Sequence, residues 1–314
     1  MRRTAAIPHL TPVEVEAPAL SLGALTWLRF RRHKMALMGG MVLILLVCYS
    51  FLPAIFFPEN VANFTSPSLR LNAPSSLHPF GTDTVGRDIL ARTIYGGQIS
   101  MIIGVTAALL EVLVGILVGA LAGYFGKLLD SVLMHLTEAI LIIPQIFLLI
   151  VMAKFFASDI PDITLLGRTF SGSVVVIVLI IGLTSWPYLA RIVRAEFLSL
   201  KERDFILAAR ATGTPTHQII LGHILPNCIA PIVVTATLGV ANAITLEAYI
   251  SFLGLGVRPP TATWGNMLEG AYNYIESAYW LWLFPGLLIL LTVLSINFLG
   301  DGLRDALDPH SRTI

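Results

Sequence analysis

Charge is scarce in this sequence, and so is cysteine. Of 314 residues only 12% are Asp, Glu, Lys or Arg, against about 25% in an ordinary soluble domain, while 56% are hydrophobic. So few charges cannot coat a water-facing surface, and a mean hydropathy of +0.81 makes lipid part of the solvent. Only Cys48 and Cys228 are present, one inside an apolar run and one at the start of another, which argues against a disulfide. The seven histidines are scattered, and no Cys/His cluster has ligand spacing, so no metal site is expected. His217 and His223 read as solvated or helix-end residues.

Other absences narrow the function. There is no Gly-rich phosphate loop, so no cofactor, and in particular no ATP, is expected to bind this chain. Gly-x-Ser-x-Gly is missing, and no nucleophile stands at a telling distance from a base, which leaves no catalytic residue and excludes a membrane-embedded hydrolase. A net charge of +1, with no basic block interleaved with aromatics, excludes nucleic acid as a partner.

What the chain does have is long apolar runs. The expected fold class is an all-α polytopic membrane protein with six transmembrane helices. Residues 1–34 read as an N-terminal tail, rich in Pro, Thr and Glu at first and then basic through Arg29, Arg31, Arg32 and Lys34. Residues 35–57 are too long for a cleaved signal and read as the first span. An outer segment over 58–97 follows, then a five-helix domain over 98–300, and a tail over 301–314. The five further spans are expected near 98–124, 131–156, 173–192, 227–253 and 280–299, each about 20 or more residues long, enough to cross a bilayer core. With the N-terminus inside, fourteen of the 20 Lys and Arg residues fall in inner segments and five in outer ones, leaving Lys154 near the outer end of the third span. That bias places both termini and the 191–227 loop in the cytoplasm.

Within the spans, Gly115, Gly119 and Gly123 recur every four residues, the small-xxx-small spacing that lets helices approach closely in lipid. In the outer segment, Gly86-Arg87-Asp88 reads as a turn followed by an acid near a helix start. Three acids fall inside apolar runs: Glu111 near mid-membrane depth, Glu138 in the inner turns of the third span beside His135, and Glu247 near the outer end of the fifth. A carboxylate in hydrocarbon costs several kcal/mol unless wetted or paired. A water-filled path and a buried, hydrogen-bonded bundle position are equal readings for Glu111 and Glu247.

The polar stretch over 191–227 interrupts the spans. Asp204 reads as an N-cap acid, followed by Phe205, Ala208, Ala209 and Thr212 on one face of a short amphipathic helix, with Arg203 and Arg210 on the wet face. Gly213 supplies a left-handed stop. Thr214-Pro215 then opens a second short helix, ending at Leu225-Pro226. Two adjacent alanines leave little bulk between this helix and a partner's groove.

Ala208-Ala209, Gly213 and Leu225-Pro226 together resemble the cytoplasmic "EAA" loop of type I ABC importer permeases, which docks on a nucleotide-binding subunit. Leu207 stands where the general pattern has Glu, and His223 where it has Ile, so no salt bridge through that Glu is expected. Three further stretches narrow the resemblance to the oligopeptide/dipeptide branch of the peptide/nickel transport family. They are His78-Pro79-Phe80-Gly81-Thr82-Asp83 with Gly86-Arg87-Asp88, Leu246-Glu247-Ala248 with the run from Ser251 to Gly256, and the run from Leu299 to Pro309.

The resemblance implies a permease subunit in a bacterial or archaeal inner membrane, forming half of an alternating-access path. It implies as partners a second homologous permease, two subunits holding ATP and Mg, and an extracytoplasmic solute-binding protein. Asp204, Phe205, Ala208, Ala209, Gly213, Leu225 and Pro226 would couple to the ATPase. The loop after the fifth span, with Pro259, Pro260 and Trp264, would lie against the path. Short peptides are the implied cargo, although nickel chelates and glutathione pass through similar permeases. The rival reading is a self-sufficient secondary transporter with Glu111 as its coupling acid, against which stand the lack of an internal repeat and a loop shaped for a partner.

Overall fold

The protein is described by a computed structural model over residues 22–56, 58–156, 160–165 and 168–308. The sequence-predicted mobile tail, with Arg2, Arg3 and His9, lies outside the described residues, as do His310 and Arg312. Residues 22–32, expected within the tail, instead form helix α1 (Leu22–Arg32), because Leu25, Leu28, Trp27 and Phe30 recur at helical spacing among the arginines. His33 accepts from the Ala36 amide at 3.0 Å and so caps α2 (Lys34–Phe51). Pro53 opens a single 3-10 turn, and the apolar span as a whole runs Lys34–Ile55.

The outer segment holds α3 (Glu59–Asn63) and a pinned loop. Asp83 accepts from the amides of Val85 and Arg87, both at 2.9 Å, and pairs with the Arg87 guanidinium at 2.6 Å. Asp88 caps the next helix through the Ala91 amide at 2.8 Å and meets His78 Nδ1 at 2.7 Å. That cap starts α4 (Ile89–Phe125) at Ile89 rather than near residue 98, the expected boundary. Its 37 residues make a rod of about 55 Å, far longer than a bilayer core.

The run over 131–156, expected as one span, is broken. Helices α5 (Lys127–Ile142) and α6 (Gln145–Phe156) meet at 87°, because Pro144 lacks an N–H and forces Ile143 into an extended conformation. The all-α expectation also needs one amendment, an antiparallel hairpin of β1 (Ile163–Leu165) and β2 (Arg168–Phe170). After it come α7 (Gly172–Leu200), α8 (Asp204–Ala211), the single turn α9 (Thr216–Gln218) and α10 (Ile229–Phe252). The short α11 (Trp264–Met267) precedes α12 (Trp280–Leu307), which carries helix well into the expected tail over 301–314. Five helices are long and apolar enough to cross a membrane, six with the bent pair, among the described residues.

The bundle is organised on α4 and α7, which run parallel with the glycine stripe at their contact. A Cβ on Gly119 would sit 2.5 Å from the Ala190 carbonyl oxygen and 2.7 Å from Val193 Cβ; one on Gly123 would sit 2.5 Å from Phe197 Cβ. Both positions admit only hydrogen, so the backbones touch where hydrocarbon supplies no drive of its own. Arg194 on α7 clasps Asp130 on α5 through two nitrogens, one at 2.7 Å. Helix α10 packs antiparallel to α4, with Ile244 against Gly104, and α12 packs antiparallel to α2, with Ser295 against Gly39. α1 closes on the end of α12, where Arg29 donates to the Asp308 carbonyl at 2.8 Å.

Gly119→Val should overpack this seam and lower stability by about 1–3 kcal/mol. Gly286→Val, where an added Cβ meets nothing within 4 Å, is expected to stay near wild type. Thermal unfolding of the two purified variants in detergent compares them directly.

Candidate functional site

Two features converge at the end of the bundle where α4 and α7 finish. The first is the segment after α7. Thr212 closes α8, the Gly213 amide donates to the Arg210 carbonyl and the Thr214 amide to the Ala209 carbonyl, both at 3.0 Å. With φ of +78° at Gly213 this is the paired-bond left-handed stop, and an L-residue there would be strained although open space surrounds it.

The faces of α8 differ from the sequence expectation. Ile206 is fully buried in a cluster with Phe197, Ile219, Ile224 and Cys228, and Ala209 packs half-buried beside it. Phe205, Ala208 and Thr212, expected to share a face with Ala209, are exposed, and so is Leu207. Ile206 and Ala209 therefore anchor the helix to its own bundle, while Phe205, Leu207 and Ala208 are left outward. Asp204 is corrected too: it is the exposed first residue of the helix, and Arg203 occupies the N-cap without a side-chain bond. Arg203 and Arg210 are exposed, as expected for the wet face, and the Arg210 guanidinium lies 5.5 Å from the Tyr124 ring centre.

The second short helix is not separate. Pro215, not Thr214, precedes α9, which passes through a π-helical stretch over Ile219–Ile224 and a 3-10 turn over Leu225–Cys228 straight into α10. Pro226 removes one amide donor at the π-to-3-10 change, and the Asn227 side chain donates to the His223 carbonyl at 2.6 Å. Leu225 packs partly into the Ile206 cluster, and Pro226 is exposed.

The second feature is a cavity of about 720 Å³ bounded by α4, α5, α6, α7, α10 and α12. Its wall carries Gln145, Thr184, Ser185, Tyr188 and Asn242, and it extends to Glu196, Arg304 and Asp308 at the helix ends. The Gln145 amide donates to Ser185 Oγ at 2.9 Å, joining the bent pair to α7. Glu111 lines this cavity, 94% buried by its 6% exposure, and a Cβ on Gly239 opposite would lie 3.0 Å from its carboxylate.

Glu247 is placed quite differently. Fully interior, it accepts from Ser251 Oγ at 2.7 Å and Ser100 Oγ at 3.2 Å. Those serines accept from the amides of Val257 and Trp264, at 3.2 and 3.1 Å, and Trp264 Nε1 donates to the Thr93 carbonyl at 2.8 Å. The carboxylate thus ties the loop after α10 to α4. Glu138 is neither in the cavity wall nor interior: it is exposed on α5, whose Ile140 and Leu141 reach the cavity instead. Sequence reasoning missed Ile206 and the polar wall. The signal for the wall was there, since Thr184, Ser185 and Tyr188 share one face of an otherwise apolar helix.

Residues 115–313 match the family described as "Binding-protein-dependent transport system inner membrane component", and residues 21–74 match "N-terminal TM domain of oligopeptide transport permease C". A Brucella suis protein named as a peptide permease is 41% identical over 285 residues, covering 90% of this chain and 89% of its own. The dipeptide transport system permease protein DppC of Alkalihalophilus pseudofirmus is 36% identical over 306 residues, covering 98% and 96%. Among solved structures, two of the MetNI methionine ABC transporter in inward-facing conformations share the fold. One has a TM-score of 0.51 at 21% identity over 68% of this chain and 94% of that one, the other 0.52 at 20% over 70% and 98%.

With Cys48 and Cys228 replaced by Ala, Glu111→Cys should react with a small water-soluble maleimide, and Glu247→Cys should resist it by at least about tenfold in rate, as burial in a hydrogen-bonded interior demands. Equal rates at the two positions would mean that the cavity does not reach Glu111.

Proposed function

Because this chain belongs to the family of binding-protein-dependent transport system inner membrane components, and is a permease subunit of an ATP-driven importer, we propose that it builds half of a path for short peptides and draws its motion from a separate ATPase chain docked on α8. The observation that carries this is the split of α8 into two apolar faces. Ile206 and Ala209 fix it to the bundle, and Phe205, Leu207 and Ala208 stand exposed on its other side. An isolated domain gains nothing from an outward Phe and Leu on so short a helix, whereas a groove on a partner would cover them.

The other parts follow from that reading. A second, homologous permease subunit closes the open side of the cavity, two ATP-binding subunits carry ATP and Mg, and a solute-binding protein delivers cargo at the opposite face. The excess of Lys and Arg at the α8 end supports a cytoplasmic location for that end and for both termini, in a bacterial or archaeal cell. Relatives named as peptide and dipeptide permeases support a peptide cargo. Nothing among them supports the rival ion-coupled transporter. Asp204, Phe205, Ala208, Gly213 and Pro226 belong to the docking surface or its stop, while Ala209 and Leu225 hold that surface in place.

In the assembled complex, Ala208→Trp should cut copurification of the ATPase chain, or uptake per ATP hydrolysed, by about tenfold or more while leaving the spans inserted. Gly213→Val forces a side chain into left-handed backbone at a cost of about 1–2 kcal/mol and should uncouple partially. Wild-type copurification, ATPase rate and uptake in both variants would remove α8 as the coupling element. The chain purified alone should show no saturable ATP binding.

A further inference from the structure

Glu111 and Glu247 are both buried carboxylates in a lipid-embedded bundle, yet only one of them is satisfied by its own protein. Glu247 receives two hydroxyl donors. Glu111 has no hydrogen-bonding or ion-pairing side chain on it among the described residues, although its exposure is only 6% and it faces an open volume of about 720 Å³. Across the helix contact stands Gly239, which offers no donor; a Cβ there would lie 3.0 Å from Oε2. Glycine at that point leaves the carboxylate face clear.

An ionised carboxylate held this way costs several kcal/mol, and the debt is settled by titration, by water or by a counter-charge that enters the cavity. The cavity favours the last. Its other charged residues are Glu196, Asp308 and Arg304, at the ends of α7 and α12, so acids outnumber bases in the lining. A field of one sign in a low-dielectric cleft concentrates cations inside it. Around Glu111 the wall offers only neutral polar groups, Asn242 and Thr184 among them, suited to peptide amides rather than to a second charge.

We propose that Glu111 is a specificity-determining residue of the path, the site that receives the ammonium group of the cargo. This rests on the cavity being the transport path. The amino terminus of a peptide and a lysyl side chain share the chemistry, and a cargo of neutral side chains isolates the first. Glu111 makes a charge-assisted bond during passage and so selects cargo inside the membrane, independently of selection by a solute-binding protein.

The test has two arms, both in the complete complex reconstituted with its partners. In the first, Asn242→Cys is introduced with Cys48→Ala and Cys228→Ala, and its modification is timed with a trimethylammonium methanethiosulfonate and with a neutral reagent of similar size. Adding Glu111→Gln should lower the cationic-to-neutral rate ratio by about tenfold, and Glu111→Asp should keep most of it. In the second arm, uptake of a dipeptide with neutral side chains is measured without the cysteine changes. Glu111→Gln should reduce kcat/KM by about tenfold or more, the effect of one charge-assisted hydrogen bond, and Glu111→Asp should recover much of it. A rate ratio unchanged within twofold, or a loss that falls equally on both reagents, overturns the assignment, as does uptake equal in the Gln and wild-type complexes. The failure of the path itself looks different, since the wild-type complex would then import no dipeptide while the reagent ratio still responded to Glu111.

Discussion

Backbone contact between α4 and α7 is the constraint from which the rest of the bundle follows. Lipid gives two apolar helices no reason to associate, so the attraction must come from dispersion at short range, and short range requires the absence of side chains. Gly115, Gly119 and Gly123 on α4 and Gly182 on α7 supply that absence in register. Once the two rods are locked in parallel, the chain between them has to return from the end of α4 to the start of α7, and the bent pair α5 and α6 with its hairpin does so. The Arg194–Asp130 clasp then fixes the start of α5 to the last turns of α7.

Against that rigid pair the protein deploys its remaining polar groups in two ways. At the end away from α8 they are spent on order: Asp83 and Asp88 pin the loop before α4, the Thr82 carbonyl holds Trp280 at the start of α12, and Glu247 with Ser100 and Ser251 ties the loop after α10 to α4. Toward the α8 end they line an open volume and make few bonds to each other. The division places stiffness at one end and solvent access at the other, with Glu111 at the boundary between them.

Much of this was legible in the sequence, and the misses have identifiable causes. Span number, the glycine seam and the left-handed stop at Gly213 were legible because each depends on residues within a few turns of one another. The start of α4 was not, because Arg92, Thr93 and Gln98 look like loop residues until their partners are known. Gln98 donates to the Ser50 carbonyl, and Thr93 shares a hydrogen bond with Tyr49. The roles of Glu111 and Glu247 diverge for the same reason, since Ser100 reaches Glu247 across 147 positions of chain. Which side of α8 is buried was likewise decided by Ile219, Ile224 and Cys228, beyond the helix itself. Pro144 is the exception, a local signal inside an apolar run whose length argued for continuity.

The unbroken passage from α9 into α10 sets a gear ratio. Thr216–Phe252 is one rod of 37 residues, tied near one end by the Glu247 network and packed near the other, where Ile219 joins the Ile206 cluster. Taking Glu247 as the fulcrum, Ile219 lies about 42 Å away along the axis and Asn242 about 8 Å. A sideways stroke applied at the α8 end therefore arrives beside Asn242 reduced about fivefold, so a stroke of several ångströms becomes a displacement of about 1 Å at the cavity wall. Force is multiplied by the same factor. The rod trades travel for thrust, and its regular α-helical ladder is interrupted at the π-helical stretch and at the 3-10 turn that follows it.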